Sequence, residues 1–258
     1  MKRHILLCAT NYVGQSSALK GCLNDMANIK KWLQKTIGSW DTMLELYGPA
    51  LTKENWLEAM RQFVAYHKPG AEGLHAHSHH GSRDVNNKKA SHFRELWVPD
   101  NYSSAGMISD DDVSAIYDKL HPEARLTDWA DCCHAQGSTR EVFFKDERPR
   151  FLSISDLADK LNLLSSTPVD TESRPNITQL AACRSAQTSA DAFIDGQYCG
   201  AFTTYALQAQ GDTMLPEGQL IDDSARLLAR NGYAQHPEFC GLSVNALKTI
   251  FTLGKKAA

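Results

Sequence analysis

Two short stretches of the chain hold side chains able to break a covalent bond. "SHHG" (78–81) ends in an imidazole, His80, and "DCCH" (131–134) carries a thiol, Cys133, 53 residues further on. A nucleophilic cysteine needs a nearby imidazole, first to favour the thiolate and then to protonate a leaving amine. The two groups must meet in space, not in sequence. Each has a near neighbour of the same type, His79 and Cys132. Side chains alternate along a strand, so these neighbours should point the opposite way.

The histidine run raises a second chemistry. His75, His77, His79 and His80 lie within "LHAHSHHGSRD" (74–84), and on a strand His75, His77 and His79 share one face. Two imidazoles at i, i+2 can chelate one ion. The spacing approaches the H-x-H-x-D-H pattern of zinc hydrolases, with His79 in place of the carboxylate, and no matching histidines stand out downstream. A metal-dependent hydrolase using His75–His80 is therefore an alternative reading. His75 and His77 read best as packed or solvated at a strand end.

Strands alternating with helices must position these groups. "HILLCAT" (4–10) is a continuous apolar run, as in a strand buried on both faces. Leu19, Leu23, Met26, Ile29, Leu33 and Ile37 follow at helical spacing. Further strands are expected at 43–48, 73–80, 125–133 and 176–183, with a short last one around 238–242. Helices are expected over 53–67, after the N-cap Ser109, near 155–164, and near 199–210 and 220–231. This alternation predicts a mostly parallel sheet covered on both faces, whose ligands sit at the carboxyl ends of the strands. Both "SHHG" and "DCCH" fall at such ends.

Bulk properties exclude several classes. The 258 residues carry a net charge of −3, which gives no reason to expect nucleic acid or an anionic membrane as partner. No apolar run approaches the roughly 20 residues that span a bilayer. The N-terminus begins like a signal peptide, but Asn11 and Gln15 follow too soon, and it reads better as a first strand. Seven scattered cysteines without a CxxC pair favour reduced thiols and a cytoplasmic location.

Several blocks resemble the metacaspases and bacterial orthocaspases, caspase-like cysteine peptidases of clan CD, family C14. "ATNYVGQSSALKGCLNDMANIKKWL" (9–33) is similar to their opening, with G-I-N-Y and L-x-G-C-x-N-D runs. "HSHHGS" (77–82) resembles Y-S-G-H-G-S, and "DCCHAQG" (131–137) resembles D-S-C-H-S-G. "VPDNYSSAGMISDDDV" (98–113) and "ACRSAQTSADA" (182–192) match later blocks in the same order. His77, His79, Cys132 and Ala135-Gln136 depart from the family pattern.

The resemblance implies a single caspase-like α/β domain over 1–258, a three-layer sandwich with a mostly parallel sheet of about six strands. It has a large part over about 1–150, a linker over about 151–175 and a small part over about 176–258. The implied activity is endopeptidase cleavage through an acyl-enzyme, with His80 as general base and acid and Cys133 as nucleophile. The backbone N–H groups of Gly81 and Cys133 would form the oxyanion hole. Asp25, Asp131, Ser78 and Cys22 would line S1, the pocket for the residue P1 whose carbonyl is attacked. Two carboxylates there favour Arg or Lys and reject Asp.

In the resembled family calcium is held by an Asp pair and two further Asp residues. Asp110 and Asp111 preserve the pair, while an ungapped reading puts Arg94 and Arg140 at the other two positions. Calcium is therefore disfavoured, and no cofactor is expected. The loop 134–151 carries Arg140, Lys145, Arg148 and Arg150, natural sites of self-processing for an enzyme of this specificity. A monomer is expected. A catalytically inactive caspase-like interaction module is the remaining alternative.

Overall fold

The structure is a computed structural model that describes residues 1–88, 93–133, 147–152, 174–184 and 187–253. The expected helix near 155–164, the linker up to 173, Arg140 and Lys145 lie outside the described residues.

The apolar run at the N-terminus forms β1 (Arg3–Ala9), and α1 (Cys22–Thr36) follows. Then come β2 (Thr42–Tyr47), α2 (Lys53–Tyr66) and β3 (Glu72–Ser78). An antiparallel pair, β4 (Gly81–Lys88) and β5 (Phe93–Trp97), leads through α3 (Tyr102–Ala105) and β6 (Ile108–Ser109) to α4 (Asp110–Tyr117). After β7 (Arg125–Asp131) lies the two-residue β8 (Arg148–Pro149), then β9 (Ile177–Ala181). A hairpin of β10 (Ala190–Ile194) and β11 (Gln197–Gly200) opens into α5 (Ala201–Gln210). The described chain closes with α6 (Glu217–Arg230) and β12 (Glu238–Cys240).

Six strands build the central sheet in the order β12-β9-β7-β3-β1-β2. All neighbours are parallel except β12, which runs antiparallel to β9. Strand order reverses direction at β1/β3, the point where open α/β sheets offer a crevice at their carboxyl edge. Alternate residues of β1 feed two cores. Ile5, Leu7 and Ala9 pack with Met26, Ile29 and Leu33 of α1 and Phe202 of α5, whereas Leu6 and Cys8 pack with Trp56, Met60 and Phe63 of α2 and Ile116 of α4. The result is a three-layer α/β sandwich.

Two boundaries differ from expectation with consequences for the site. β3 ends at Ser78 rather than at residue 80, because from Gly81 the backbone turns away to pair with β5. The helix expected from 199 starts at Ala201, because 197–200 belongs to a hairpin whose Asp195-Gly196 turn has both φ angles positive (50° and 85°). That Asp-Gly pair is a strong hairpin signal.

Candidate active site

Register places the two reactive groups at the same edge of the sheet. β3 and β7 pair with Ser78 opposite Asp131, and His80 and Cys133 each stand two residues beyond, at the carboxyl edge. The His80 ring donates from Nε2 to the Ser17 carbonyl at 2.7 Å and packs on Tyr12, whose hydroxyl accepts the His80 N–H at 2.9 Å. With its proton fixed on Nε2, the ring offers a lone pair at Nδ1, which is buried and has no hydrogen-bond partner among the described residues. Burial lowers the His80 pKa to about 4, with the carbonyls of Ser17 and Arg150 pulling the other way.

Cys133 Sγ rests against Ser189, accepting from its N–H at 2.7 Å and donating to its carbonyl at 3.4 Å. Burial pushes the thiol well above its ordinary pKa, and the Cys183 thiol adds to this while the Ser189 N–H opposes it. At rest the thiol and the imidazole are therefore both neutral.

Beside them lies a pocket of three carboxylates with one fully buried cation, Arg150. Its Nη1 is 2.8 Å from Asp25, 3.1 Å from Asp131 and 2.7 Å from the Ser78 hydroxyl, and its Nη2 is 2.9 Å from Asp191. Each carboxylate is fixed from behind. Asp25 accepts from the Ser78 hydroxyl and Gly200 N–H, Asp131 from the Ser189 hydroxyl and from Thr203, and Asp191 from the N–H groups of Lys20 and Gly21. Burial raises Asp25 to about 7 despite Arg150, with Asp131 adding to the rise. Cys22 is buried and close enough for Arg150 to act on its thiol, which burial otherwise pushes up. Gly200 keeps the pocket open: a methyl there would collide with the Asp131 carboxylate and lie 2.6 Å from Arg150 Nη1.

The backbone of Arg150 is held as firmly as its side chain. Its carbonyl accepts from Gly81 N–H at 2.9 Å and, more weakly, from Cys133 N–H at 3.4 Å. Its own N–H donates to the Ser189 carbonyl at 3.0 Å, and Leu152 N–H donates to the Gly81 carbonyl at 2.9 Å. The two residues before it form β8 on β10, with Pro149 opposite Ala190 and Arg148 opposite Asp191. Gly81 has to be glycine, since a Cβ there would collide with the Cys133 carbonyl.

The other histidines face away from this cleft, toward α2 and α4. His75 Nδ1 hydrogen-bonds the Tyr117 hydroxyl at 2.7 Å, His77 Nδ1 and His79 Nε2 lie 2.8 Å apart, and Trp56 and Trp97 enclose them. Burial alone would raise the Asp128 carboxyl, but His77 and His75 hold it well below its ordinary range. His77, His79 and Cys132 bring donor atoms within 4.8 Å of one another, as do His75, His77 and Asp128. Both groups are fully enclosed, whereas a hydrolytic metal keeps a coordination position open to substrate. His79 and Cys132 thus lie on the side away from Arg150.

Of the positions expected to bear on calcium, Asp110 and Asp111 lie in the first turn of α4, and Arg140 lies outside the described residues. In α4 the Asp112 carboxylate is taken by a capping box with Ser109, leaving Asp110 and Asp111 in the same turn. Arg94 sits on β5 two residues before Leu96, which pairs with Ser109. Calcium takes roughly six to eight oxygen ligands.

Sequence reasoning did not find Asp191, Ser189, Ser17 or Gly200. The "SADA" block drew attention to the neighbourhood, but no spacing rule marks a lone aspartate two residues after a serine as a pocket wall.

A family model described as "Metacaspase, peptidase C14 domain" matches residues 3–140. Metacaspase-1 of Meyerozyma guilliermondii is 27% identical over 283 residues, spanning 92% of this chain and 68% of that protein. Metacaspase-1B of Aspergillus oryzae is 30% identical over 248 residues, spanning 78% and 58%. Among solved structures, protein GSU0716 of Geobacter sulfurreducens superposes with a TM-score of 0.72 at 20% identity, covering 96% of this chain and 97% of that one.

Proposed function

The chain belongs to the metacaspase family, and from that premise we propose that it is a cysteine endopeptidase cutting after Arg or Lys through Cys133 and His80. Membership makes it a cysteine peptidase acting on protein substrates. The finer reading rests on one observation, a buried guanidinium bonded to Asp25, Asp131 and Asp191 with its own carbonyl at the Gly81 and Cys133 N–H groups.

The chemistry follows from these positions. Cys133 Sγ swings from Ser189 to the P1 carbonyl carbon as His80 Nδ1 takes the thiol proton. The oxyanion develops between the Gly81 and Cys133 N–H groups, which are aimed there before the reaction begins. His80 then gives its proton to the leaving amine, and water releases the acid from the thioester. Because burial favours the uncharged forms of both groups, proton transfer accompanies attack rather than preceding it.

The test is hydrolysis of matched peptides with Arg, Lys or Asp at P1, together with mass mapping of a thiol-reactive Arg-bearing electrophile. Cutting after Arg and Lys with the label on Cys133 is expected. Efficient cutting after Asp would overturn the pocket assignment. A folded protein that neither cuts nor takes the label would be an interaction module instead. Seven free thiols suit a reducing, cytoplasmic compartment, and an edge strand of only three residues suits a monomer.

A further inference from the structure

On the side of the sheet away from Arg150 lies a cluster that the peptidase chemistry does not use. His77, His79 and Cys132 are positions where "HSHHGS" and "DCCHAQG" part from the resembled blocks, which carry an aromatic, a glycine and a serine there. The fold gathers all three. The histidines come from the end of β3 and the thiol from the end of β7, with donor atoms within 4.8 Å of one another and no exposed surface.

Proton accounting within this cluster does not close with neutral rings. His79 Nδ1 lies 2.6 Å from the His80 carbonyl, which can only accept, so the His79 proton sits there and Nε2 carries a lone pair. That lone pair faces His77 Nδ1 at 2.8 Å. His77 Nε2 is fully buried, makes no hydrogen bond among the described residues and stands 3.3 Å from Asp128 Oδ1. A neutral His77 has one proton for these two places. On Nδ1 it serves His79 and turns a bare lone pair on a carboxylate. On Nε2 it serves Asp128 and leaves two lone pairs facing each other. Burial leaves either repulsion unscreened. His75 has no such conflict: Trp56 Nε1 donates to its Nε2 at 3.4 Å, so its Nδ1 proton serves Tyr117 and Asp128.

A second proton on His77 would close the count, and so would a cation between the rings. A shared proton needs only the two imidazoles, whereas a thiol within reach of both argues for a metal. We infer that His77 Nδ1, His79 Nε2 and Cys132 Sγ hold a structural zinc ion. Two imidazoles and a thiolate are a zinc donor set, and hard cations prefer oxygen. Asp128 behind His77 and the His80 carbonyl behind His79 are the partners that fix metal-binding imidazoles in the right tautomer. Tetrahedral zinc about 2.0–2.1 Å from each nitrogen holds the two roughly 3.3 Å apart, so the pair opens by about half an ångström.

Charge also balances. Burial first, then the Cys183 thiol and the Glu95 carboxylate, push the Cys132 thiol well above its ordinary pKa. Zinc binding expels that proton to solvent, and the thiolate with Asp128 offsets the ion's two charges. The fourth vertex falls to water or to Glu95 on β5, whose charge reaches Cys132. Enclosed on the far side of the sheet, the ion ties the ends of β3 and β7 together and takes no part in hydrolysis.

The test is the metal content of the full chain, made in zinc-supplemented medium without a metal-binding tag, beside His79→Gly, Cys132→Ser and Cys133→Ala. The first two restore residues of the resembled blocks and so remove ligands without adding bulk. One zinc per chain is expected in wild type and in Cys133→Ala, and at least roughly tenfold less in the other two. A chelator that strips the ion should lower the wild-type unfolding midpoint by several degrees and leave those two variants unmoved. Cobalt loaded in place of zinc should give a thiolate-to-metal charge-transfer band, absent from Cys132→Ser. Zinc lost from Cys133→Ala but kept by Cys132→Ser would put the ion at the reactive pair and overturn the inference. A wild-type chain with neither zinc nor the cobalt band would also overturn it, leaving a proton between His77 and His79. Should neither ligand variant fold, wild type and Cys133→Ala still decide, since the ion and its thiolate band must survive the loss of Cys133.

Discussion

Ser78 and Asp131 face each other across adjacent parallel strands, and both reach the same nitrogen of Arg150, at 2.7 and 3.1 Å. One strand register therefore delivers specificity and catalysis together. The pocket residues sit at the last pair of β3 and β7, and His80 and Cys133 follow two residues later on each chain.

Replacing either reactive group should abolish activity. Cys133→Ala and His80→Ala are each expected to lower kcat/KM by several orders of magnitude, because the pair acts as a unit. Cys132→Ala and His79→Ala, on the far side, should keep a substantial part of it once corrected for folded fraction. All four can be compared on one fluorogenic Arg peptide.

Pocket variants should act on P1 recognition. Asp131→Asn and Asp25→Asn each remove a carboxylate from a buried cation, a loss of about 2–5 kcal/mol, or roughly 30- to 5,000-fold in kcat/KM for Arg substrates. Gly200→Ala should fail similarly by filling the space. Asp25 sits near pH 7 even with a cation present, and higher without one, so kcat/KM should rise with pH through neutrality. A flat profile between pH 6 and 8 would contradict the role of Asp25.

Acid should destabilise the fold ahead of ordinary carboxylate titration. Burial lowers His67, His75 and His80 each to about 4. Their unfolded forms titrate near 6.5, so the unfolded chain binds more protons between these values and stability falls as pH drops from about 6.5 to 4. Asp25 runs the opposite way, losing stability as pH rises from about 3.8 to 7, and Glu217, which burial also raises, runs with it, but the lowered histidines, His4 included, outnumber the two. Urea midpoints should fall steadily across that window.

Calcium should not be required. Peptidase rates in EGTA and in millimolar calcium are expected to agree within twofold if the ungapped reading, which puts Arg94 and Arg140 at two carboxylate positions of the resembled family's ion site, is right. A large rise with calcium would show that the register around Arg94 is wrong.

Much of this architecture is legible in the sequence where burial dictates composition. "HILLCA" could only be a doubly covered strand, and the alternation in "LHAHSHH" separates the far-side histidines from His80. Asp131 and Asp25 were found through family blocks, not spacing. β8 was not legible, because two residues carry no period and their pairing is created by what Arg150 does at the other end of the pocket. β11 was absorbed into the following helix because "QYCG" is too short to alternate, although Asp195-Gly196 announces the hairpin. Asp191 reads in isolation as a charge on a short strand. Only the fold shows that it shares a cation with residues 60 and 166 positions away.

Three carboxylates converging on a single guanidinium also bear on how the protein reaches its native state. Arg150 is the counterion with which the pocket closes during folding, and burying that much like charge without it is costly. The pocket therefore closes only with this guanidinium or with protons on its carboxylates, and a chain without Arg150 should fold to a less stable state.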